Sequence, residues 1–146
     1  MSLHFQASLR RLLRLRQSLE RQEEMKLSLA AARLNAARAG LEQARAAGQQ
    51  QQQALRIALT DQLSGAELQV AMLQRQADTG REQRLQAKMA ELQTAHAEQT
   101  QTLLGRTRDR KILDLLQAHC QKIERRNQLR REQAALDEAF LLGKQK

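Results

Sequence analysis

The chain is 146 residues and 16.7 kDa, the size of one ordinary domain, yet leucine, alanine and glutamine make up about half of it, aromatic residues 1%, and proline is absent. Rings bring the largest burial to a globular core, roughly 150–250 Å² each. Here only Phe5 and Phe140 are available, at opposite ends of the sequence, which excludes a conventional core. Val70, three isoleucines and six threonines are too few β-branched residues for a sheet, so the composition reads as extended helix.

The net charge is +9, and it is concentrated at the two ends. Residues 1–40 carry eight basic and three acidic groups, residues 41–105 six and seven, and residues 106–146 eleven and six. Such a balance suits an acidic partner, an anionic surface or nucleic acid. The single cysteine, Cys120, cannot close an internal disulfide, and the arginine-dense start lacks the apolar run of a secretory signal, so a reducing cytoplasmic setting is expected. No stretch approaches the roughly 20 apolar residues that span a bilayer.

The first expected element is one continuous helix over about residues 3–62. It opens with a broad stripe of Phe5, Leu9, Leu12, Leu13, Leu15 and Leu19. From there Leu27, Leu34 and Leu41 recur every seven residues, Gly48 takes the next slot and Leu55 resumes, with Ala30, Ala37, Ala44 and Ala58 between them. That is an a/d heptad. Gly48 and the run Gln49 to Gln53 interrupt the apolar seam, reading either as a solvated helical face or as a soft point.

A turn is expected at about 62–66, where Leu63-Ser64-Gly65-Ala66-Glu67 contains the S-x-x-E capping box. The second helix, about 65–142, has a seam of Leu85, Met89, Leu92, His96, Gln99 and Leu103 in strict 4-3 spacing. It is read onward through Ile112, Leu115 or Leu116, Cys120 and Ile123, with Leu129, Leu136 and Phe140 carrying it to the end. If the chain reverses at 64 or 65, facing residues have numbers adding to about 129–130, which sets Leu27 against Leu103, Leu34 against His96 and Leu41 against Met89. Two independently read seams agreeing in one register point to an all-α fold, a single antiparallel two-helix coiled coil over residues 1–146. At about 1.5 Å per residue the second helix outruns the first, leaving residues after about 125 without a partner.

No nucleotide loop, zinc-protease motif, nucleophile elbow or paired-cysteine spacing occurs, so neither catalysis nor a cofactor is expected. His119 and Cys120 are adjacent and point about 100° apart on a helix, a poor metal pair. Cys120 reads instead as a small seam residue near Leu9, and His96 as a polar residue that sets register. The basic start could be read as a membrane-surface helix or transit peptide. Against that, its apolar residues find a matching strip between Ile112 and Ile123. Nucleic-acid binding lacks aromatic platforms and a basic block feeding a clean zipper.

Two surfaces remain as candidates. At the terminal end an antiparallel fold gathers Arg10, Arg11, Arg14 and Arg16 with Lys122, Arg125, Arg126, Arg130 and Arg131, beside the Leu136 to Leu142 overhang that includes Phe140. Surface pairs with Glu20, Glu124 or Glu132 would each recover only about 0–1 kcal/mol, so stability alone does not account for the concentration. At the turn end Val70, Leu73 and Ala77 share a face, either as a docking patch or as seam packing against Leu55 and Leu59.

The segments Leu12-Leu13-Arg14-Leu15-Arg16 with Glu20, Glu23 and Leu29-Ala30, then Ser64-Gly65-Ala66-Glu67-Leu68, then Arg131-Glu132-Gln133-Ala134-Ala135-Leu136-Asp137-Glu138, together resemble the FliJ family of flagellar type III export proteins, nearly end to end. The injectisome counterparts of the YscO type are a close rival. The resemblance implies a two-helix coiled coil and a stalk-like role. Its terminal end would insert into the hexameric export ATPase (FliI-like) and stimulate it. It would also contact the export gate (FlhA-like), for which Val70, Leu73 and Ala77 are the candidates, and export chaperones. It implies a cytoplasmic protein, peripheral to the inner membrane through its partners. The competing class is a generic coiled-coil scaffold with no ATPase partner.

Overall fold

The computed structural model describes residues 3–62 and 64–144. Helix α1 runs Leu3–Thr60 and helix α2 Gly65–Lys144, 58 and 80 residues, and no strand occurs among the described residues. Without proline nothing removes a ladder hydrogen bond, and each helix is continuous. The fold is an all-α antiparallel helical hairpin.

α2 starts as the capping box dictates. Ser64 Oγ accepts from the Glu67 N–H at 3.3 Å, and the Leu68 N–H donates to the Ser64 carbonyl at 3.1 Å. The return bond from the Glu67 carboxylate is not formed among the described residues; Glu67 is exposed, where water competes. Before the turn, the Asp61 N–H donates to the Ala58 carbonyl at 3.1 Å. Leu63, read above as part of the turn, lies outside the described residues.

The chain divides into two compact units, one of residues 24–102 and one of residues 1–23 with 103–146. In the first, the heptad read from the sequence is the packed seam of α1. Leu34 and Leu41 are buried, Leu41 to 3% exposure, and Leu27, Ala30, Ala37, Ala44, Leu55 and Ala58 are half-buried. Leu85, Met89, Leu92 and His96 are half-buried on α2. The seam weakens toward the turn, where Gly48 and glutamines face Ala71, Asp78 and Glu82 across an open groove of about 640 Å³. A Cβ on Gly48 would lie 3.1 Å from the Glu82 carboxylate, a pair whose numbers add to the expected 130.

In the second unit the register is the same. The Gln6 amide donates to the Glu124 carboxylate and the Arg110 guanidinium to Glu20, both pairs again adding to 130. Leu9 and Cys120 are buried, with Leu13, Leu19, Leu113 and Ile123 half-buried around them. The seam of α2 differs here from the reading above. Ile112, Leu115 and Leu116 are exposed, Leu115 to 71%, while Arg106, Arg110, Leu113 and Gln117 occupy the 4-3 positions that lead to Cys120. Phe5, Leu12 and Leu15 are exposed on α1 for the same reason: Gln6, Arg16, Glu20 and Glu23 share the facing positions with the leucines. Leu129, Leu136 and Phe140 do not continue the seam either. Leu129 is nine residues from Cys120, two and a half turns, and so faces the opposite way.

Candidate functional site

The seam of the terminal unit is held by a polar cluster that hydropathy cannot reveal. Glu20, 9% exposed, accepts from Thr107 Oγ1 at 3.0 Å on one carboxylate oxygen and from Arg110 Nε on the other. Arg110 also donates from Nη1 to Asp114 at 2.6 Å, one turn along α2. The Arg110 hydrogen bond outweighs burial and, with Thr107, holds the Glu20 carboxyl below its ordinary value of 4.5. Glu20 is therefore a seam residue, not the exposed partner expected above. Its 4-3 relation to Leu9, Leu13 and Arg16 was legible in the spacing, but the reading followed leucine.

Around this cluster the basic residues singled out from the sequence all belong to one unit. Arg10, Arg11 and Arg14 are exposed on α1. Arg16 is not free: it pairs with Asp109 at 3.5 Å and is half-buried. On α2, Lys122, Arg125, Arg126, Arg130 and Arg131 are all exposed. At about 100° per residue Lys122, Arg126 and Arg130, four apart, share one face, with Arg125 on one side of it and Arg131 on the other.

α1 begins its helix at Leu3, and in this register it reaches about residue 127 of α2. Every described residue from 124 onward is exposed. Leu129, Leu136, Leu141 and Leu142 project from this stretch, and Phe140 is 65% exposed with the Lys144 ammonium 5.1 Å from its ring centroid. Chemically the end is a cationic collar, then a segment carrying Glu132, Asp137 and Glu138 around Leu136, then the apolar tip Phe140-Leu141-Leu142, able to bind an anionic rim and bury side chains beyond it.

At the turn end Val70, Leu73 and Ala77 are exposed on α2, with Met72 beside them. They are not seam residues. α2 faces α1 here through Ala71, Gln74 and Asp78, and Leu59, named above as a packing partner, is itself exposed. Among the described residues no group of histidine, cysteine and carboxylate side chains could hold a metal ion, and no helix is long and apolar enough to cross a membrane. Compared with family models, with curated proteins and with solved structures, the chain finds no match.

Proposed function

We propose that this chain is a non-enzymatic component of a flagellar type III export apparatus, similar to FliJ, that docks its terminal end into the export ATPase ring and stimulates it. The observation that carries the reading is the end of α2 past residue 124, exposed throughout, where Arg125, Arg126, Arg130 and Arg131 are followed, beyond Glu132, Asp137 and Glu138, by the apolar Phe140, Leu141 and Leu142. Arg10, Arg11 and Arg14 on α1 add to the same positive field, with Lys122, Arg125, Arg126, Arg130 and Arg131 on α2. A field of one sign steers association with an acidic or polar ring mouth. Leu136 and Phe140, entering a bore, would lose water contact worth roughly 1.5–3 kcal/mol per fully buried side chain.

At the other end, the exposed Val70, Leu73 and Ala77 form an apolar patch suited to the export gate. Chaperone binding and a cytoplasmic position at the inner membrane follow from the same reading. The experiment is affinity capture from a flagellated cell, scored for the flagellar ATPase. Its recovery, lost on Leu136→Glu with Phe140→Glu, is the expected result. Recovery of an injectisome ATPase instead, or of no ATPase, overturns the assignment.

A further inference from the structure

From about the end of the reach of α1 onward, α2 carries a second heptad seam that no described residue of its own chain covers. Arg126, Leu129, Gln133, Leu136, Phe140 and Gly143 follow strict 3-4 spacing, and every one is exposed. The series lies about half a turn from the Cys120 face that packs on α1. Spacing of this kind is the signature of a helix partner, since knobs from one helix seat in holes of another.

We propose that the occupant is a second copy of this chain, pairing antiparallel over about residues 126–143 of each α2. The flanking charges select both the partner and its direction. Arg125 and Glu132 flank one side of the seam, Arg130 and Asp137 the other. In a parallel pair opposite sides meet, so Arg125 faces Arg130 of the second copy and Glu132 faces Asp137, like against like, with Arg126 stacked on Arg126. In an antiparallel pair the same sides meet. The register that sets Phe140 on Leu129 of the second copy, and Leu136 on Gln133, also brings Arg130 to Asp137 of the second copy.

Two-fold symmetry makes each of these contacts twice. Arg126 then lies beside Gly143 of the second copy, at the negative end of that helix. Asp137 is already held near the seam, accepting from the Gln133 side chain at 3.3 Å.

A bilayer surface fits less well, because Glu132 and Asp137 bracket Leu136 on its two sides. The overlap is short, under three heptads, which places it at the weak end of specific interfaces and makes the dimer concentration-dependent. It covers Arg126, Arg130, Leu136 and Phe140, so it excludes docking of the same residues into a ring. The inference does not rest on the export reading, and its test contains no ATPase.

The test is sedimentation of the full chain over a concentration series, in reductant so that Cys120 cannot crosslink copies. A reversible monomer–dimer equilibrium is expected. Arg130→Asp and Asp137→Arg, each replacing two attractive pairs with two repulsive ones, should each weaken it about tenfold. The double exchange Arg130→Asp with Asp137→Arg should restore it, and circular dichroism on all three variants checks that the helices persist. A monomer at every concentration overturns the proposal. So does a dimer indifferent to the single exchanges, or a double exchange that fails to restore it. Association with anionic phosphatidylserine vesicles without dimerisation also overturns it, making the occupant a membrane surface.

Discussion

Replacing Glu20 with glutamine tests the polar seam of the terminal unit most sharply. The amide keeps the shape and one acceptor oxygen but removes the charge that Arg110 and Thr107 address from α2. A hydrogen bond to a charged group contributes about 1.5–3 kcal/mol. Solvent reaches this cluster, the Glu20 side chain being 12% exposed, which lowers the expectation for Glu20→Gln to about 1 kcal/mol.

The pH dependence then follows from linkage. The folded Glu20 carboxyl lies below its ordinary value of 4.5, so its contribution is complete above that value and is lost as pH falls through the folded value. Urea unfolding followed by circular dichroism, run near neutrality and well below the ordinary carboxyl range, gives the comparison. Wild type should exceed Glu20→Gln by about 1 kcal/mol near pH 7 and by close to nothing once the carboxyl is protonated in both states. Hydrogen exchange at 16–23 and 106–114 should show the loss locally. A difference that persists unchanged in acid would refute the charge as its origin.

Other expectations follow from the same register and packing. Cysteines at 41 and 89 in a Cys120→Ser background should form an intramolecular disulfide under mild oxidation; crosslinks only between chains would mean a swapped or parallel assembly. Amides at 46–53 and 78–82 should exchange faster than those at 27–41, because Leu34 and Leu41 are buried whereas the groove around Gly48 is open and polar. Equal protection along α1 would contradict that. Gly40→Ala and Gly80→Ala each place a Cβ with nothing within 4 Å, so each should raise unfolding free energy by about 0.5–1 kcal/mol. Destabilisation by either would show a contact the geometry does not contain.

The helices and their register were legible in the sequence because the packed positions of unit 24–102 are marked by large apolar residues at heptad spacing. Leu27, Leu34 and Leu41 on α1, and Leu85, Met89 and Leu92 on α2, are all buried or half-buried. The terminal unit is not marked this way. Its seam passes through Glu20, Arg106, Arg110 and Gln117, while Ile112, Leu115 and Leu129 sit on the exposed side. A hydropathy pattern follows the leucines and crosses from one face to the other. What marked the true seam was the charge pair Glu20–Arg110, whose numbers add to 130 as the apolar pairs do.

The candidate surfaces were legible for a simpler reason. Clustered arginine and an unmatched helix length need no packing rule to be seen. The capture of Arg16 by Asp109 needed the structure, since it depends on which side of α2 faces α1.

The central claim is that the basic, exposed end of α2 acts on an ATPase ring. Its most direct test is ATP hydrolysis by the purified export ATPase with wild-type chain and with Arg125, Arg126, Arg130 and Arg131 all changed to Glu, across a salt series. Stimulation by wild type that falls steeply with salt and vanishes in the four-residue variant, with helicity unchanged, is the predicted result. Stimulation unaffected by those four substitutions would contradict the claim.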